Sequence, residues 1–368
     1  MTDLGIPVSH CTGCAACVNI CQTDAIQMKE RKDGFTYPVV DEEKCVHCGR
    51  CTEVCRKCEP YLAEVADEPA VYAMLSKNDG LRLHSTSGGI FSELAMHILK
   101  HGGRVVGAVY RPDWSVEHQM IESPDDLEKV RRSKYQQSNI NLIYREIQSA
   151  LKADQKVLFC GTPCQVGGLK AFLGKEFAGL YTCDFICRGV SSPKLFAKYI
   201  GDLKDQYNSD VAYVWMKNKC NGWHELTTAI GFENGETYIK KGLEDSYVQM
   251  YLKYNMGVRE SCYSCRFKKR DAADITLGDF WGLDGTALDD NQGTSAVICR
   301  TQKGRELVDG IKENVVYQGK QIEDVMRSNP CLYSSMEKGT GDTEKFYDIL
   351  DREGYQRAYQ WIAGETYE

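Results

Sequence analysis

The residues with the clearest chemical character in this chain are its cysteines: there are 18 among 368 residues, and nine of them lie between Cys11 and Cys58. Cys11, Cys14, Cys17 and Cys21 recur as Cys45, Cys48, Cys51 and Cys55, each displaced by 34 positions. Both copies spell Cys-x2-Cys-x2-Cys-x3-Cys, an internal repeat of a metal-binding run. Three closely spaced thiolates wrap three corners of an iron-sulfur cubane, and the fourth cysteine of each run reaches the neighbouring cluster. The spacing therefore predicts one [4Fe-4S] cluster on Cys11, Cys14, Cys17 and Cys55, and a second on Cys45, Cys48, Cys51 and Cys21. Paired Cys-x2-Cys also occurs in zinc ribbons, but eight cysteines in translational register suit two cubanes better. Cys51, Cys55 and Cys58 spell the radical S-adenosylmethionine spacing as well, although the repeat already uses the first two. Cys58 is then surplus, and His47 reads as a surface residue.

Residues 1–60 resemble the bacterial two-cluster ferredoxins, with a departure after the last cysteine of each run, where the usual proline is Gln22 or Arg56. Reduced thiols suit this reading. The opening residues carry no basic segment followed by an apolar one, and no stretch approaches the roughly 18 uninterrupted apolar residues of a membrane span, so a cytoplasmic protein without membrane insertion is expected. A net charge of -7 argues against a nucleic-acid or anionic-lipid footprint. With 42% hydrophobic and 26% charged residues the chain is expected to fold throughout rather than to contain long disordered tracts.

Elements that could position further chemistry follow a linker expected at 61–70. Strands are predicted at 71–75, 104–110, 156–160, 180–186, 211–216 and 295–300, and helices at 88–101, 139–153, 193–207 and 304–313. Residues 227–232 and 236–240 flank Asn234-Gly235 and predict a hairpin with a type I′ turn. The fold class is α+β, or mixed αβ: a small ferredoxin-like domain at 1–60, a larger flavin-binding domain at 71–330, and a C-terminal helical extension at 331–368.

Within the larger domain Cys164 follows a strand and opens a helix, Cys187 follows another strand, and Cys262 and Cys265 stand beside Arg266, Lys268, Lys269 and Arg270. Helix starts and nearby cations favour thiolate, which a cluster requires. One Cys-x2-Cys with two distant cysteines is compatible with a third four-thiolate site, yet single cysteines are often small buried hydrophobes.

Five ordered motifs then carry a resemblance over about residues 70–330. They are Ser85-Thr86-Ser87-Gly88-Gly89-Ile90-Phe91, Ser133-Lys134-Tyr135-Gln136-Gln137-Ser138, Gly161-Thr162-Pro163-Cys164-Gln165-Val166, Cys187-Arg188-Gly189-Val190-Ser191-Ser192-Pro193, and the run from Asp274 to Gly282. They resemble the family of coenzyme F420 hydrogenase/dehydrogenase beta subunits. The resemblance implies an iron-sulfur flavoprotein oxidoreductase with FAD and, in total, three [4Fe-4S] clusters. It places the third cluster on Cys164, Cys187, Cys262 and Cys265. Cys160 and Cys183 are expected in the core, and Cys220, Cys299 and Cys331 have no assigned role. One departure matters: the family's Cys-His-Gly-Val-Pro-Ser stands here as Cys187-Arg188-Gly189-Val190-Ser191-Ser192, which sets a permanent cation beside a ligand.

No Gly-x-Gly-x-x-Gly fingerprint supports a Rossmann site. For the flavin, the hydroxyls, glycines and N–H groups of Ser85, Thr86, Ser87, Gly88 and Gly89 at a helix start could cradle a pyrophosphate, or form an ordinary N-cap. Lys134, Tyr135, Ser138, Thr162 and Asp279 are the further candidates at that cofactor, whereas His84, His97, His101, His118 and His224 lack ligand spacing. Clusters pass single electrons and deazaflavins exchange hydride, so FAD is the expected adaptor between them. The expected partners are F420 or another hydride carrier, and a ferredoxin or partner subunit. A homo-oligomer or a subunit of a larger complex is compatible with this. The alternatives are a flavin-dependent reductase of another organic substrate and a non-catalytic electron-transfer subunit.

Overall fold

The structure is a computed structural model and describes residues 1–58, 68–268, 273–283 and 285–364. Most of the expected linker, residues 61–67, lies outside the described residues. Each copy of the cysteine run opens into a short helix, α1 (Ala16–Ile20) and α2 (Arg50–Lys57), and both N-caps are left-handed, with Ala15 at φ 56° and Gly49 at φ 73°. Between the copies, β1 (Ile26–Glu30) and β2 (Thr36–Val40) form an antiparallel hairpin.

The larger part holds eleven strands: β3 (Ala70–Ser76), β4 (Arg104–Tyr110), β5 (Val116–Ile121), β6 (Val157–Cys160), β7 (Leu180–Phe185), β8 (Val211–Asn218), β9 (Thr227–Phe232), β10 (Thr237–Lys241), β11 (Ile275–Asp279), β12 (Ser295–Cys299) and β13 (Val315–Lys320). Eight of them make one sheet in the order β13-β3-β12-β11-β7-β6-β4-β5. Its centre, β11-β7-β6-β4, is parallel, and every outer pairing is antiparallel. The helices are α3 (Asp79–Leu83), α4 (Ile90–Lys100), α5 (Leu127–Val130), α6 (Ile143–Lys152), α7 (Pro163–Leu173), α8 (Pro193–Tyr207), α9 (Ser246–Leu252), α10 (Gln302–Asp309), α11 (Ile322–Ser328), α12 (Thr343–Arg352) and α13 (Tyr355–Ala363). The fold is mixed αβ with a ferredoxin-like N-terminal part.

One face of the sheet, with α6 and α7, shares a core with the cysteine-rich part: Ala15, Ala16, Val54 and Cys58 are buried in the same cluster as Tyr144, Val166, Leu169 and Phe267. The other face buries α4 and α10 through Leu94, Ile98 and Leu307. A separate core joins α8, α9, α12 and α13 to the sheet β8-β9-β10, so the C-terminal helices pack within a core rather than trail from it. The β9-β10 hairpin departs from the predicted turn. Gly235 is left-handed at φ 87°, Asn234 does not have a positive φ, and the Gly235 N–H donates to the Phe232 carbonyl at 3.0 Å. A type I turn closed by a left-handed glycine replaces type I′, because three residues rather than two separate the last paired positions, Phe232 and Glu236.

Candidate iron-sulfur centres

Helix α7 is the element around which two thiol sets are built. Its N-cap Thr162 is held by a capping box in which the Thr162 N–H donates to Gln165 Oε1 at 2.9 Å, and Gln165 Nε2 donates onward to Ser138 Oγ at 2.9 Å. This fixes Cys164 in the first turn, with its Sγ 3.1 Å from Thr162 Oγ1. Cys187 comes in just past the end of β7, Cys262 from a 3-10 turn at Glu260–Cys262, and Cys265 from a loop whose N–H donates to Ser335 Oγ at 2.9 Å. The four cysteines line one cavity of about 50 Å³.

Burial raises the Cys164 thiol well above its ordinary pKa, and the neighbouring Cys265, Cys187 and Cys262 raise it further. Burial likewise pushes Cys187 up to about 12 and Cys262 up to about 11, although Lys268 opposes both and Arg259 also opposes the second. The expectation that nearby cations hold these groups as thiolates is therefore corrected: desolvation outweighs them, and only a bound metal would ionise the set outright.

A second cavity, of about 270 Å³, is lined by Cys11, Cys14, Cys17 and Cys55 together with Cys58. Burial raises the Cys17 thiol, and Cys14, Cys11 and Cys55 add to the effect, which places these four thiols within mutual electrostatic reach. Cys14 is held down to about 6, first by the hydrogen bond from Cys58. Cys58, surplus in the repeat, is thus a buried fifth thiol beside this set, and it also lies 3.4 Å from the Val54 carbonyl. Thr12 and Phe267 line both cavities, so the two thiol sets share walls. Close approach is possible because α7 carries Gly167 and Gly168 where it meets the N-terminal part. A Cβ on Gly168 would come within 2.9 Å of Cys14 Cβ, and one on Gly167 within 2.6 Å of Phe267. Two cavities, each walled by four thiols and each closed to most of the solvent, suit cubanes.

The third set differs. Cys48 is exposed, Val46 is 67% exposed, and Cys45 Sγ sits 3.9 Å from His47 Nδ1. Glu42, Cys45 and His47 place ligand atoms within 4.8 Å of one another at this surface. Cys21, the predicted fourth ligand, follows the end of α1 and accepts from the Ala25 N–H at 3.3 Å. Of the remaining cysteines, Cys183 and Cys299 are buried, and Cys160 is the register partner of Cys183 across β6 and β7. Cys331 joins the cavity of Cys164, and Cys220 is exposed.

Comparison with known proteins matches residues 154–325 to the C-terminal part of the beta subunit of coenzyme F420 hydrogenase/dehydrogenase, and residues 10–57 to the 4Fe-4S dicluster domain. The chain belongs to the family of F420 hydrogenase/dehydrogenase beta subunits. A coenzyme F420-dependent sulfite reductase of Methanocaldococcus jannaschii is 23% identical over 328 residues, which cover 86% of this chain and 47% of that protein. This chain thus spans about half the length of that relative. The F subunit of the F420H2 dehydrogenase of Methanosarcina mazei is 23% identical over 83% of each chain. A chain of the F420-reducing [NiFe] hydrogenase complex from Methanosarcina barkeri aligns with a TM-score of 0.49 at 16% identity, over 82% of this chain and 94% of that one.

The residues that the beta-subunit resemblance assigns to flavin are largely occupied by the fold. Ser85 Oγ donates to the Leu81 carbonyl, Ser87 Oγ donates to the Thr294 carbonyl, and Thr86 Oγ1 accepts from the Ser133 N–H. The Gly88 N–H donates to Ser295 Oγ, and a Cβ there would meet the Met74 carbonyl at 2.4 Å; Gly88 serves close packing on β3 and β12. Gly89 caps α4, whose first turn carries the buried Glu93 carboxylate, which is unfavourable to an anion. Lys134 is buried and donates to the Lys129, Arg131 and Arg132 carbonyls at the end of α5, and burial lowers its pKa to about 7. The Tyr135 carbonyl accepts from Tyr247, Ser138 is held by Gln165, and Asp279 pairs with Lys217. As a set these groups do not fit a free pyrophosphate cradle, and no chemical step is assigned to them.

Arg188, the departure beside Cys187, is spent on α9: it donates to the Tyr251 carbonyl at 2.7 Å and to Asn255 Oδ1. Sequence reasoning missed Arg259, Gly13 and Phe267. The first lies three residues before Cys262, and the second is the one small residue where the other copy of the repeat has His47.

Proposed function

We propose that this chain is an iron-sulfur electron carrier of F420-type oxidoreduction, linking a ferredoxin or partner subunit to a hydride carrier such as coenzyme F420. The observation that carries this reading is the pair of four-thiol cavities sharing Thr12 and Phe267 as walls. Residues 1–60 would hold two [4Fe-4S] clusters, on Cys11, Cys14, Cys17 and Cys55 and on Cys45, Cys48, Cys51 and Cys21. Residues 71–330 would hold a third on Cys164, Cys187, Cys262 and Cys265, with 61–70 as linker and 331–368 as the C-terminal helical part. When bound, these clusters supply one-electron transfer. The chain's own residues set the order: exposed Cys48 lies on the outside, Cys14 against α7, and Cys164 at the start of that helix. FAD belongs to the proposal as the adaptor to hydride chemistry, at a site other than the hydroxyls of residues 85–89, which the fold already engages. Cytoplasmic location and membership of a larger complex complete the reading.

Anaerobic purification with iron, sulfide and flavin quantified tests it, followed by mixing the reduced chain with F420 and with other acceptors. About twelve iron atoms per chain are expected, four for each of three cubanes. Stoichiometric zinc in place of iron, or iron for a single cluster, overturns the cluster reading. A second reading, an electron-transfer subunit without its own hydride site, is favoured by the engagement of Lys134 and Ser87 within the fold; such a chain would carry its iron but no flavin, and F420 would leave it oxidised.

A further inference from the structure

Arg259 is 0% exposed and is the largest fully buried side chain of the described residues. Its Nε donates to the Cys11 carbonyl at 2.8 Å, Nη1 to Gln137 Oε1 at 2.8 Å, and Nη2 to the Thr36 carbonyl at 3.0 Å and toward Cys11 Sγ at 3.6 Å. The guanidinium lies over Tyr37 at 4.3 Å and Phe35 at 5.3 Å. Among the described residues no carboxylate makes an ion pair with it; its partners are carbonyls, an amide oxygen, two rings and a cysteine. Burying a permanent cation without a counter-ion costs several kcal/mol, so buried charges are found paired. The missing negative charge has one available source within contact, the thiolate set that begins at Cys11.

The backbone of the same residue belongs to the other thiol set. The Arg259 N–H donates to the Val190 carbonyl at 3.1 Å, three residues beyond Cys187, and the Arg259 carbonyl accepts from the Cys262 N–H at 2.9 Å. Gly13, in the loop between Cys11 and Cys14, makes room for the side chain: a Cβ there would stand 2.8 Å from Arg259 Nη1. Resting on the cluster reading above, we propose that Arg259 is the fixed counter-charge of the inner N-terminal cluster and the positioning residue that locks that cluster against the third one. Reduction adds negative charge to a cluster, and an adjacent cation without a carboxylate to neutralise it stabilises the reduced form. Arg259 thereby makes the inner cluster a better acceptor than its copy at the surface, and electrons are drawn inward along the chain.

The test is a potentiometric titration followed by EPR on the anaerobically reconstituted full chain, with iron counted in each sample. Arg259→Met is expected to keep its iron and to shift one cluster about tenfold toward the oxidised form at a given potential, about 59 mV lower for one electron. Arg259→Lys, which retains the charge and loses the fork, is expected to recover most of that shift. Gly13→Ala, which pushes the guanidinium away without removing it, shifts the same transition in the same direction by less, and it serves if Arg259→Met does not fold. A wild-type chain without iron removes the cluster reading itself. Wild type with its clusters, and Arg259→Met or Gly13→Ala with every potential unmoved and iron complete, overturns the assignment of Arg259 alone.

Discussion

The two copies of the cysteine run have the same spacing and the same left-handed helix entry, yet they stand in opposite surroundings. Residues 12, 13, 15 and 16 of the first copy are Thr, Gly, Ala and Ala; their counterparts in the second are Val46, His47, Gly49 and Arg50. Position 13 and position 47 both adopt positive φ, 71° and 52°. In the first copy that residue has no side chain, because Arg259 and Gln137 occupy the space where one would go. In the second the imidazole projects into solvent, with its side chain 76% exposed. The repeat thus specifies ligands twice, while the residues between the ligands decide which copy turns inward. Small residues allow contact with α7, and bulky or charged ones keep the other copy at the surface.

The largest effects expected from breaking this asymmetry come from the ligands. Cys14→Ala should remove about four iron atoms and interrupt transfer between the N-terminal part and the third cluster, whereas Cys48→Ala should remove about four but leave the inner pair of clusters reducible by a small chemical reductant. Iron analysis with EPR of the reduced variants checks this; if Cys14→Ala leaves transfer from the cluster of Cys48 to the third cluster intact, the inner position of Cys14 is wrong. Next come the exchanges between copies. Gly13→His must displace a buried, hydrogen-bonded guanidinium and should cost about 3 kcal/mol or more, while His47→Gly should change stability by about 1 kcal/mol or less. Denaturant unfolding of the two single variants measures both, and equal costs would remove the distinction.

A smaller contrast lies between two glycines. Gly168→Ala drives a methyl group to within 3.0 Å of Cys14 Sγ and should cost about 2 kcal/mol, with accelerated loss of the inner cluster to a chelator. Gly49→Ala meets open space; its left-handed backbone costs about 1 kcal/mol, and full iron retention is expected because Ala15 already adopts that conformation in the other copy. Thermal unfolding and timed iron release separate the two. The smallest effect is predicted for Lys57→Met, which removes the exposed ion pair with Glu53 on α2 and should alter stability by about 0.5 kcal/mol or less.

Much of the larger fold was legible from hydrophobic period alone: the strands at 104–110 and 180–185 and the helix at 193–207 fall where the pattern puts them. The β1-β2 hairpin and the edge strand β13 were not anticipated, since short strands with exposed residues such as Tyr317 carry a weak alternation signal. The flavin candidates show the limit of motif reasoning. Hydroxyl and glycine at a helix start are as useful for packing as for binding anions, and the bonds of Ser85, Ser87 and Gly88 to β12 and the neighbouring turn serve packing. Arg188 shows the same limit, because adjacency to Cys187 in sequence did not indicate that its guanidinium caps α9.

What the sequence by itself determined is the number and type of the ligands in the N-terminal part. Four thiols within eleven residues are brought together by the local reach of the chain, so their chemistry can be read from spacing before any long-range contact is known. The tertiary structure alone decided which copy is buried, which cysteines of the larger part share a cavity, and what stands between them. Arg259 contacts Cys11 across 248 positions, and Cys164, Cys187, Cys262 and Cys265 meet only because β7 and α7 lie side by side in one fold. Such neighbours are fixed by the packing of whole elements and by the volume left at Gly13, Gly167 and Gly168, quantities that no spacing between residues encodes.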